Sequence, residues 1–363
     1  MPLKQRFDRL LLTAAAVQTV AGLALVATAS WLVAEERYHR PGTWFVLWQA
    51  LAALVGFVAL IAGMHLRRRF LTDERVGWAV LGISWGLLAA AFLQPAVANT
   101  HRWLGVGGLS LQPSVLARVA AVLFAAVQLD RARREGWPVR RLATAGGAVA
   151  VSALLIVLEP DLGSAFLLVA VVAAMAWVAG TPLRLLAVPG VAGLVLLAGA
   201  VAASPYRLAR VRAFLDPDAA AAAAWQTRQS LIALGSGGIL GRGYGAGLQK
   251  LFFLPEPHTD FILAITGEEL GLVGVAGVLL VAAVVVWRGL RIAVRQPERH
   301  LGLLAFGLTF AFALQTLLHA AVCLGLAPPK GIPLPLVSYG KTDLVVSLGS
   351  LGLLLNLSRE VSP

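Results

Sequence analysis

The sequence has a single cysteine and few charged residues. Cys323 is the only cysteine among 363 residues, so no disulfide can form within the chain. Charged residues make up 13% of the chain and hydrophobic residues 59%, and the mean hydropathy is +0.81. Soluble domains contain about 45–50% apolar residues, so a water-soluble fold is excluded. Cys323 lies in an apolar run, where we expect it simply to pack.

The chain also lacks the motifs of several functional classes. It has no phosphate-binding loop, and its basic connections leave no room for a nucleotide-binding domain, which argues against ATP-driven transport. The segment 241–245, reading GRGYG, is not a dinucleotide fingerprint because no βαβ unit surrounds it. The six histidines are scattered, so no set of histidine and cysteine residues has the spacing of zinc ligands.

Apolar runs dominate what is present. Each has about the length that a helix needs to cross roughly 30 Å of hydrocarbon, and none alternates as a barrel strand would. We therefore predict an all-α polytopic membrane protein, a single integral membrane domain spanning 1–363, with about ten transmembrane helices. The first run is too long for a signal-peptide core and is predicted to be retained. The predicted helices are 10–34, 44–64, 77–97, 111–129, 142–158, 164–180, 184–203, 261–287, 301–327 and 342–357.

The net charge of +12 has a topological explanation. With the N-terminus inside, the cytoplasmic segments hold 18 of the 30 basic residues. The short outer connections hold only five, namely Arg37, Arg40, Arg102, Lys330 and Lys341. This asymmetry follows the positive-inside rule, so we predict a cytoplasmic-membrane protein with both termini in the cytoplasm and no nucleic-acid partner.

Three outer segments are candidates for a functional surface. The largest is the loop 204–260, whose apolar residues predict short or re-entrant helices lying against the bundle. The segments 98–113 and 328–341 carry polar and turn-forming residues on the same side. Together the three could surround one outward-facing cavity.

The end of the long loop carries the sharpest signal. Residues 254–260 read LPEPHTD, and Pro255 and Pro257 prevent a continuous helix there. Thr259 or Asp260 could simply cap the helix that follows. Alternatively, Asp260 lies on the rim of the cavity as a general base, since a carboxylate beside cations suits deprotonation of a hydroxyl next to a phosphate leaving group.

Basic residues in the same loop favour the second interpretation, because the positive-inside rule does not explain cations on the outer side. Contacts with lipid headgroups or with a partner are the alternative. These residues are Arg207, Arg210, Arg212, Arg228, Arg242 and Lys250.

Other ionisable residues are less specific. Glu268 and Glu269 lie just inside the eighth predicted helix and need a partner in the bundle, so a structural ion pair is as good an interpretation as a catalytic role. His258 and His319 are better explained as hydrogen-bonded structural residues than as ligands.

Four segments resemble a known family. They are 102–114, reading RWLGVGGLSLQPS, 159–164, reading EPDLGS, the glycine-rich stretch 229–275, and 331–340, reading GIPLPLVSYG. In this order, on a ten-helix frame, they resemble the SEDS family of shape, elongation, division and sporulation proteins, the FtsW/RodA peptidoglycan glycosyltransferases. Segments 248–258 and 265–270 are more similar to the FtsW branch than to the RodA branch.

The resemblance implies polymerisation of lipid II into glycan strands on the outer face of the membrane, with inversion and an undecaprenyl-pyrophosphate leaving group. It implies a class B penicillin-binding protein as partner, alongside other division or elongation proteins and membrane lipids. The family's essential aspartate corresponds to Asp260. No tightly bound cofactor is expected, although a divalent cation (Mg²⁺ or Mn²⁺) could bind carboxylate and pyrophosphate oxygens.

Two further groups of residues complete the predicted site. For binding of substrate we select Arg102, Arg207, Arg210, Arg212, Gln229, Ser230, Arg242, Lys250, His258, Thr259, Ser338 and Tyr339. For structural or coupling roles we select Arg118, Glu159, Asp161, Glu268 and Glu269.

The chain departs from the family pattern at two places. Val115 stands where a glutamate usually follows Gln-Pro-Ser, and Arg118 replaces the usual lysine. Residues 341–343, reading KTD, replace the usual Gly-Ser-Ser. Loss of the glutamate removes a charge pair, and Asp343 paired with Lys341 or Arg118 is a candidate compensation.

Two alternative functions remain at this stage. A transporter or flippase of a lipid-linked cell-wall precursor fits the many-helix architecture, and it would continue to move substrate without Asp260. A scaffold that recruits division proteins would keep its cellular function without Asp260.

Overall fold

The computed structural model describes residues 7–95, 100–106, 109–216 and 221–360 and is mostly helical, with very little strand. The predicted all-α class is therefore confirmed. Two short antiparallel strands, β1 (Leu104–Val106) and β2 (Leu109–Leu111), form a hairpin. The helices are α1 (Arg9–Leu32, continued by a π-helical turn, Val33–Arg37), α2 (Trp44–His65), α3 (Arg69–Thr72), α4 (Glu74–Ala91), α5 (Pro113–Arg134), α6 (Val139–Leu158), α7 (Leu162–Val178), α8 (Leu183–Ala202), α9 (Pro205–Leu215), α10 (Ala221–Gly237), α11 (Ile262–Arg295), α12 (Arg299–Cys323) and α13 (Lys341–Ser358).

Within the described ranges, seven helices are long and apolar enough to cross a membrane: α1 with its π-helical turn, α2, α5, α6, α8, α11 and α12. Helix α7 is apolar but only 17 residues long. The predicted count of ten crossings is therefore not confirmed. The predicted cytoplasmic termini include residues 1–6 and 361–363, and the third predicted helix includes 96–97; these residues lie outside the described part of the chain.

Several helix ends differ from the hydropathy prediction for identifiable reasons. Helix α11 continues to Arg295 instead of ending near residue 287, because Arg288 is accommodated by an ion pair between its Nε and Oδ2 of Asp8, 2.6 Å apart. Helix α12 ends at Cys323, since Gly325 adopts a positive φ of 68° that a helix cannot contain.

Helix α5 lies at the centre of the bundle and contacts α4, α6, α7 and α12. Small residues allow α2 and α13 to approach closely: a Cβ added to Gly352 would lie 2.2 Å from the Leu60 carbonyl oxygen. Helix α8 instead lies at the periphery, with exposed apolar residues such as Leu194 and Leu196. Such an apolar outer surface is suited to lipid.

The predicted outer loop 204–260 contains α9, α10 and a glycine-rich segment, apart from residues 217–220, which lie outside the described ranges. Helix α10 packs along α11, and the glycine-rich segment follows the same helix back towards its beginning. The loop is thus folded against the bundle, and it delivers Asp260 to the start of α11.

Candidate active site

Asp260 lies at the junction between the long outer loop and α11. The two prolines place residues 256–260 in a turn in which the amide nitrogens of Thr259 and Asp260 donate to the Glu256 carbonyl oxygen, at 3.2 and 3.1 Å. The N-cap of α11 is Phe261, and it makes no side-chain capping hydrogen bond. The alternative in which Thr259 or Asp260 caps this helix is therefore wrong, and the Asp260 carboxylate is left available.

The segment 331–340 packs directly against this turn. Oγ of Ser338 donates to the Thr259 carbonyl oxygen at 2.6 Å, and the Tyr339 amide donates to the His258 carbonyl oxygen at 2.9 Å. A Cβ added to Gly331 would lie 3.1 Å from Oδ2 of Asp260. Two segments that are distant in sequence thus frame one carboxylate.

The ring of His258 packs beside the turn of residues 256–260. Its ring lies 4.5 Å from the ring of Phe45 and 5.5 Å from that of Tyr339. Burial, with a smaller contribution from Arg37, lowers the pKa of His258 to about 4, and burial raises the pKa of Tyr339 to about 12. Both groups are therefore neutral near pH 7 and act as packing residues around the turn.

The surroundings of Asp260 shift its titration towards neutrality. The carboxyl is half-buried, and this burial, followed by the negative charge of Glu256, raises its pKa to about 6. A hydrogen bond from Thr259 and the charges of Arg210 and Arg102 oppose the shift. Asp260 forms no ion pair with any residue that the structure describes. A carboxylate in this state can accept a proton near neutral pH.

Cations from three separate elements converge on the same region. One terminal nitrogen of Arg102 donates to the Pro160 carbonyl oxygen, and Nη1 of Arg210 on α9 donates to the Pro329 carbonyl oxygen at 2.9 Å. Lys330 is affected by the charges of both: burial lowers its pKa, Asp161 opposes this shift, and Arg102, Arg207 and Arg210 add to it. Each of the three arginines is thus close enough to repel the Lys330 ammonium.

Lys330 was not among the residues selected from the sequence. Its neighbours Pro328, Pro329 and Gly331 mark the segment, but the arginines whose charges act on its ammonium come from α9 and from the segment near residue 102, and the sequence does not reveal that they lie nearby. The ion pair between Arg37 and Glu256, 2.8 Å apart, was missed for the same reason.

Other predicted substrate-binding residues make contacts within the protein or lie on its surface. Arg207 bonds to the Ala200 carbonyl oxygen at 3.0 Å, and Arg212 is exposed on α9. Gln229 and Ser230 are buried on α10, where Oγ of Ser230 donates to the Cys323 carbonyl oxygen at 2.7 Å. Their role in binding stays a prediction.

Lys250 and Arg242 belong to a second cluster. Nζ of Lys250 lies 2.5 Å from Oε1 of Glu269, and an Arg242 nitrogen lies 4.0 Å from Oε1 of Glu268. Both glutamates are buried, at 1% and 0% exposure. Of the two interpretations of Glu268 and Glu269, the structure favours the structural ion pair.

Glu159 and Asp161 flank Pro160 beside Arg102. Asp161 caps α7 by accepting from the amide and hydroxyl of Ser164, at 3.1 and 2.7 Å. Glu159 is fully buried, and neither carboxyl oxygen has a hydrogen-bond partner in the described portion of the chain. Burial, then the charge of Asp161, raises the pKa of Glu159 to about 8, against the opposing charge of Arg102.

Arg118 has an acidic partner across the bundle, although Val115 stands where the family usually has a glutamate. Arg118 on α5 lies 3.4 Å from Oδ1 of Asp343 on α13, and Gln315 on α12 donates to the same oxygen at 3.0 Å. Of the two predicted partners, Arg118 is therefore the one that Asp343 pairs with. Lys341 instead lies over the Trp48 ring, 5.1 Å from its centroid.

Comparisons with known proteins agree with this picture. A model of the FtsW/RodA/SpoVE family, described as cell cycle proteins, matches residues 8–362. A probable peptidoglycan glycosyltransferase FtsW from Trichlorobacter lovleyi is 36% identical, over 97% of this chain and 93% of that protein.

Two solved structures are also similar. One is a chain of a peptidoglycan synthase complex that coordinates polymerization and crosslinking, with 26% identity, 98% coverage of each chain and a TM-score of 0.78. The other is the rod shape determining protein RodA of Thermus thermophilus, with 25% identity, 98% coverage of each chain and a TM-score of 0.71. The predicted polytopic fold and the resemblance to SEDS proteins are both confirmed.

Proposed function

The chain belongs to the FtsW/RodA/SpoVE family of cell cycle proteins and is a multi-pass membrane protein, and from this premise we propose that it is a peptidoglycan glycosyltransferase with Asp260 as its general base. The relatives named peptidoglycan glycosyltransferase FtsW support the activity. The observation that carries the assignment is the half-buried, uncapped Asp260 carboxyl with its raised pKa, within the influence of Arg102 and Arg210.

The substrate is lipid II, whose lipid-linked disaccharide would enter from the outer leaflet. Asp260 takes the proton from the 4-hydroxyl of the acceptor sugar while that oxygen attacks the anomeric carbon of the donor. The bond from the anomeric carbon to the undecaprenyl pyrophosphate breaks with inversion. Arg102, Arg210 and Lys330 stabilise the negative charge that develops on the departing pyrophosphate.

A divalent ion is compatible with this chemistry only in a shared site. In the ranges given above, no three acidic, histidine or cysteine side chains form a cluster that could hold a metal. Mg²⁺ or Mn²⁺ would therefore need oxygens of the substrate in addition to protein carboxylates. When bound, such an ion would neutralise pyrophosphate charge; the proton transfer belongs to Asp260 alone.

We further propose that the protein resides in the bacterial cytoplasmic membrane with both termini in the cytoplasm. Its partner is a class B penicillin-binding protein that crosslinks the glycan, alongside other division or elongation proteins. The structural neighbour from a peptidoglycan synthase complex supports such a partnership, and the FtsW-named relatives favour a role in division.

Polymerisation of lipid II by the purified protein, together with its transpeptidase, tests the assignment. We expect Asp260→Asn to reduce the rate of glycan formation by at least about 100-fold, the usual contribution of a positioned general base. Glu256→Gln, in the same turn but paired with Arg37, is the matched control. Loss of its charge lowers the pKa of Asp260, which stays ionised at about pH 7.5, so the rate at that pH should remain within about threefold of wild type.

Glycan made by Asp260→Asn at the wild-type rate would refute the assignment. Movement of lipid II across vesicles by wild-type protein, without any polymerisation, would instead support the flippase alternative.

A further inference from the structure

Helix α11 is broken nine residues after its start. Gly271 has φ 67° and ψ −165°, so the α-helical hydrogen-bond ladder is interrupted there. A Cβ at this position would lie 2.3 Å from the Ile239 carbonyl oxygen and 2.4 Å from the Gly241 nitrogen. The glycine-rich loop of residues 238–250 therefore fits directly into the break, and only glycine is tolerated at its point of contact.

Backbone hydrogen bonds join the loop to both sides of this break. The amides of Arg242 and Gly243 donate to the carbonyl oxygens of Glu268 and Glu269, each at 3.0 Å. The amides of residues 272 and 273 donate to the carbonyl oxygens of residues 238 and 239, at 2.9 and 3.2 Å. The polar groups that the break exposes are thus satisfied by the loop, as a span buried in lipid requires.

A buried side-chain cluster fixes the loop in place. Glu269 accepts from Thr28 on α1 at 2.8 Å, from the Gly245 amide at 3.0 Å and from Nζ of Lys250 at 2.5 Å. Lys250 also donates to Oγ1 of Thr28 at 2.6 Å and to the Gly245 carbonyl oxygen at 2.8 Å. The ammonium thus contacts three protein oxygens, and 8% of the Lys250 side chain is exposed.

We propose that Lys250, Glu269 and Thr28 form a positioning cluster that holds the first part of α11, residues 262–270, and thereby sets the place of Asp260. This inference rests on the proposed function of Asp260. In this proposal Lys250 holds α11 through Glu269 and does not contact the substrate. The segment is about 13 Å long at about 1.5 Å per residue, and the break at Gly271 separates it from the rest of α11, so the cluster at one end sets the carboxylate at the other.

Kinetics distinguish a positioning residue from one that contacts the substrate. Lys250→Met leaves the Glu269 charge buried and unpaired, so the first part of α11, residues 262–270, should shift. Misplacement by about 1 Å can cost about 100-fold in rate, so we expect kcat to fall by about 10- to 100-fold with little change in KM for lipid II. The double variant Lys250→Met/Glu269→Gln removes both charges and should recover at least about tenfold of that loss.

Thr28→Val removes the hydrogen bonds that the Thr28 hydroxyl makes with Glu269 and Lys250 but removes no charge, so it should fold and reduce kcat by a few-fold. Tyr244→Phe is the matched control: it removes a bond from the same loop to the Ala24 carbonyl oxygen, at an exposed position, and should leave kcat within about twofold. A rise in KM for Lys250→Met at unchanged kcat, or no recovery in the double variant, would overturn the proposal.

The only cysteine supplies a readout that does not require activity. Sγ of Cys323 is fully buried and lies 3.9 Å from the Asp260 carbonyl oxygen. Movement of residues 262–270 away from α12 would uncover the thiol. We therefore expect maleimide to label Cys323 at least about tenfold faster in Lys250→Met and a few-fold faster in Thr28→Val. Labelling of Tyr244→Phe should proceed at the wild-type rate.

Unchanged labelling in both cluster variants would refute the positioning role whatever the enzyme does. Faster labelling in a protein whose wild type makes no glycan would leave the positioning role standing and reject the proposed function.

Discussion

Two carboxylates nine residues apart have opposite environments. Glu269 is fully buried and accepts hydrogen bonds from Lys250, Thr28 and a backbone amide. Asp260 is half-buried, forms no ion pair with the described residues, and has a raised pKa. The first charge is neutralised within the protein, whereas the second remains available to a ligand. This difference separates a residue that maintains structure from one that can carry chemistry.

The largest difference between the two carboxylates is expected in thermal stability. Glu269→Gln leaves Lys250 buried without its partner and should cost about 3–5 kcal/mol, seen as a large fall in Tm. Asp260→Asn should instead raise Tm near neutral pH, because burial disfavours the charged carboxylate in the folded state.

The effect of Asp260 on folding stability depends on pH. Its pKa is about 6 in the folded protein against 3.8 ordinarily, so its destabilising effect is absent below the ordinary pKa, grows between the two values and is complete above the folded one. Thermal unfolding in detergent at about pH 7.5 and about pH 4 measures both variants. A gain in Tm for Asp260→Asn that persists at the lower pH, or a fall in Tm at the higher, would contradict the comparison.

A third carboxylate, Asp343, resembles Glu269 because it is buried and paired with a cation, Arg118. Asp343→Ser restores the residue usual in the family but leaves Arg118 buried without an acid. Because the contact is 3.4 Å long, the cost should be about 3 kcal/mol, the lower end of the range for a broken buried pair. Adding Val115→Glu places an acid three residues before Arg118 on the same helix face and should return most of the lost stability. Thermal unfolding of the single and double variants is the measurement. If Asp343→Ser alone matched wild type, the pair across α5 and α13 would have no structural role.

The sequence indicated those features that depend on local pattern. Apolar runs predicted the helices, and the two prolines with their basic neighbours pointed to Asp260. The pairing of Arg118 with Asp343 was one of two predicted options, because a lost acid must be replaced somewhere nearby in space. These inferences needed only hydropathy, turn chemistry and charge.

Features that depend on contacts between distant segments could not be predicted. Gly271 lies inside the predicted helix 261–287, and hydropathy gives no sign of a break there; the break exists because the loop around Ile239 and Gly241 fills it. Lys250 was assigned to the substrate because its partners, Glu269 and Thr28, come from other parts of the chain. The surroundings of Lys330 likewise appear only after α9 has folded against its segment.

The pH dependence of polymerisation tests the central claim most directly. If Asp260 is the general base, kcat/KM for lipid II should fall about tenfold per pH unit below about pH 6 and level off above it, since only the deprotonated carboxylate can accept the proton. A profile that stays flat from about pH 5 to about pH 8, with the acid limb only near the ordinary aspartate pKa, would contradict the account.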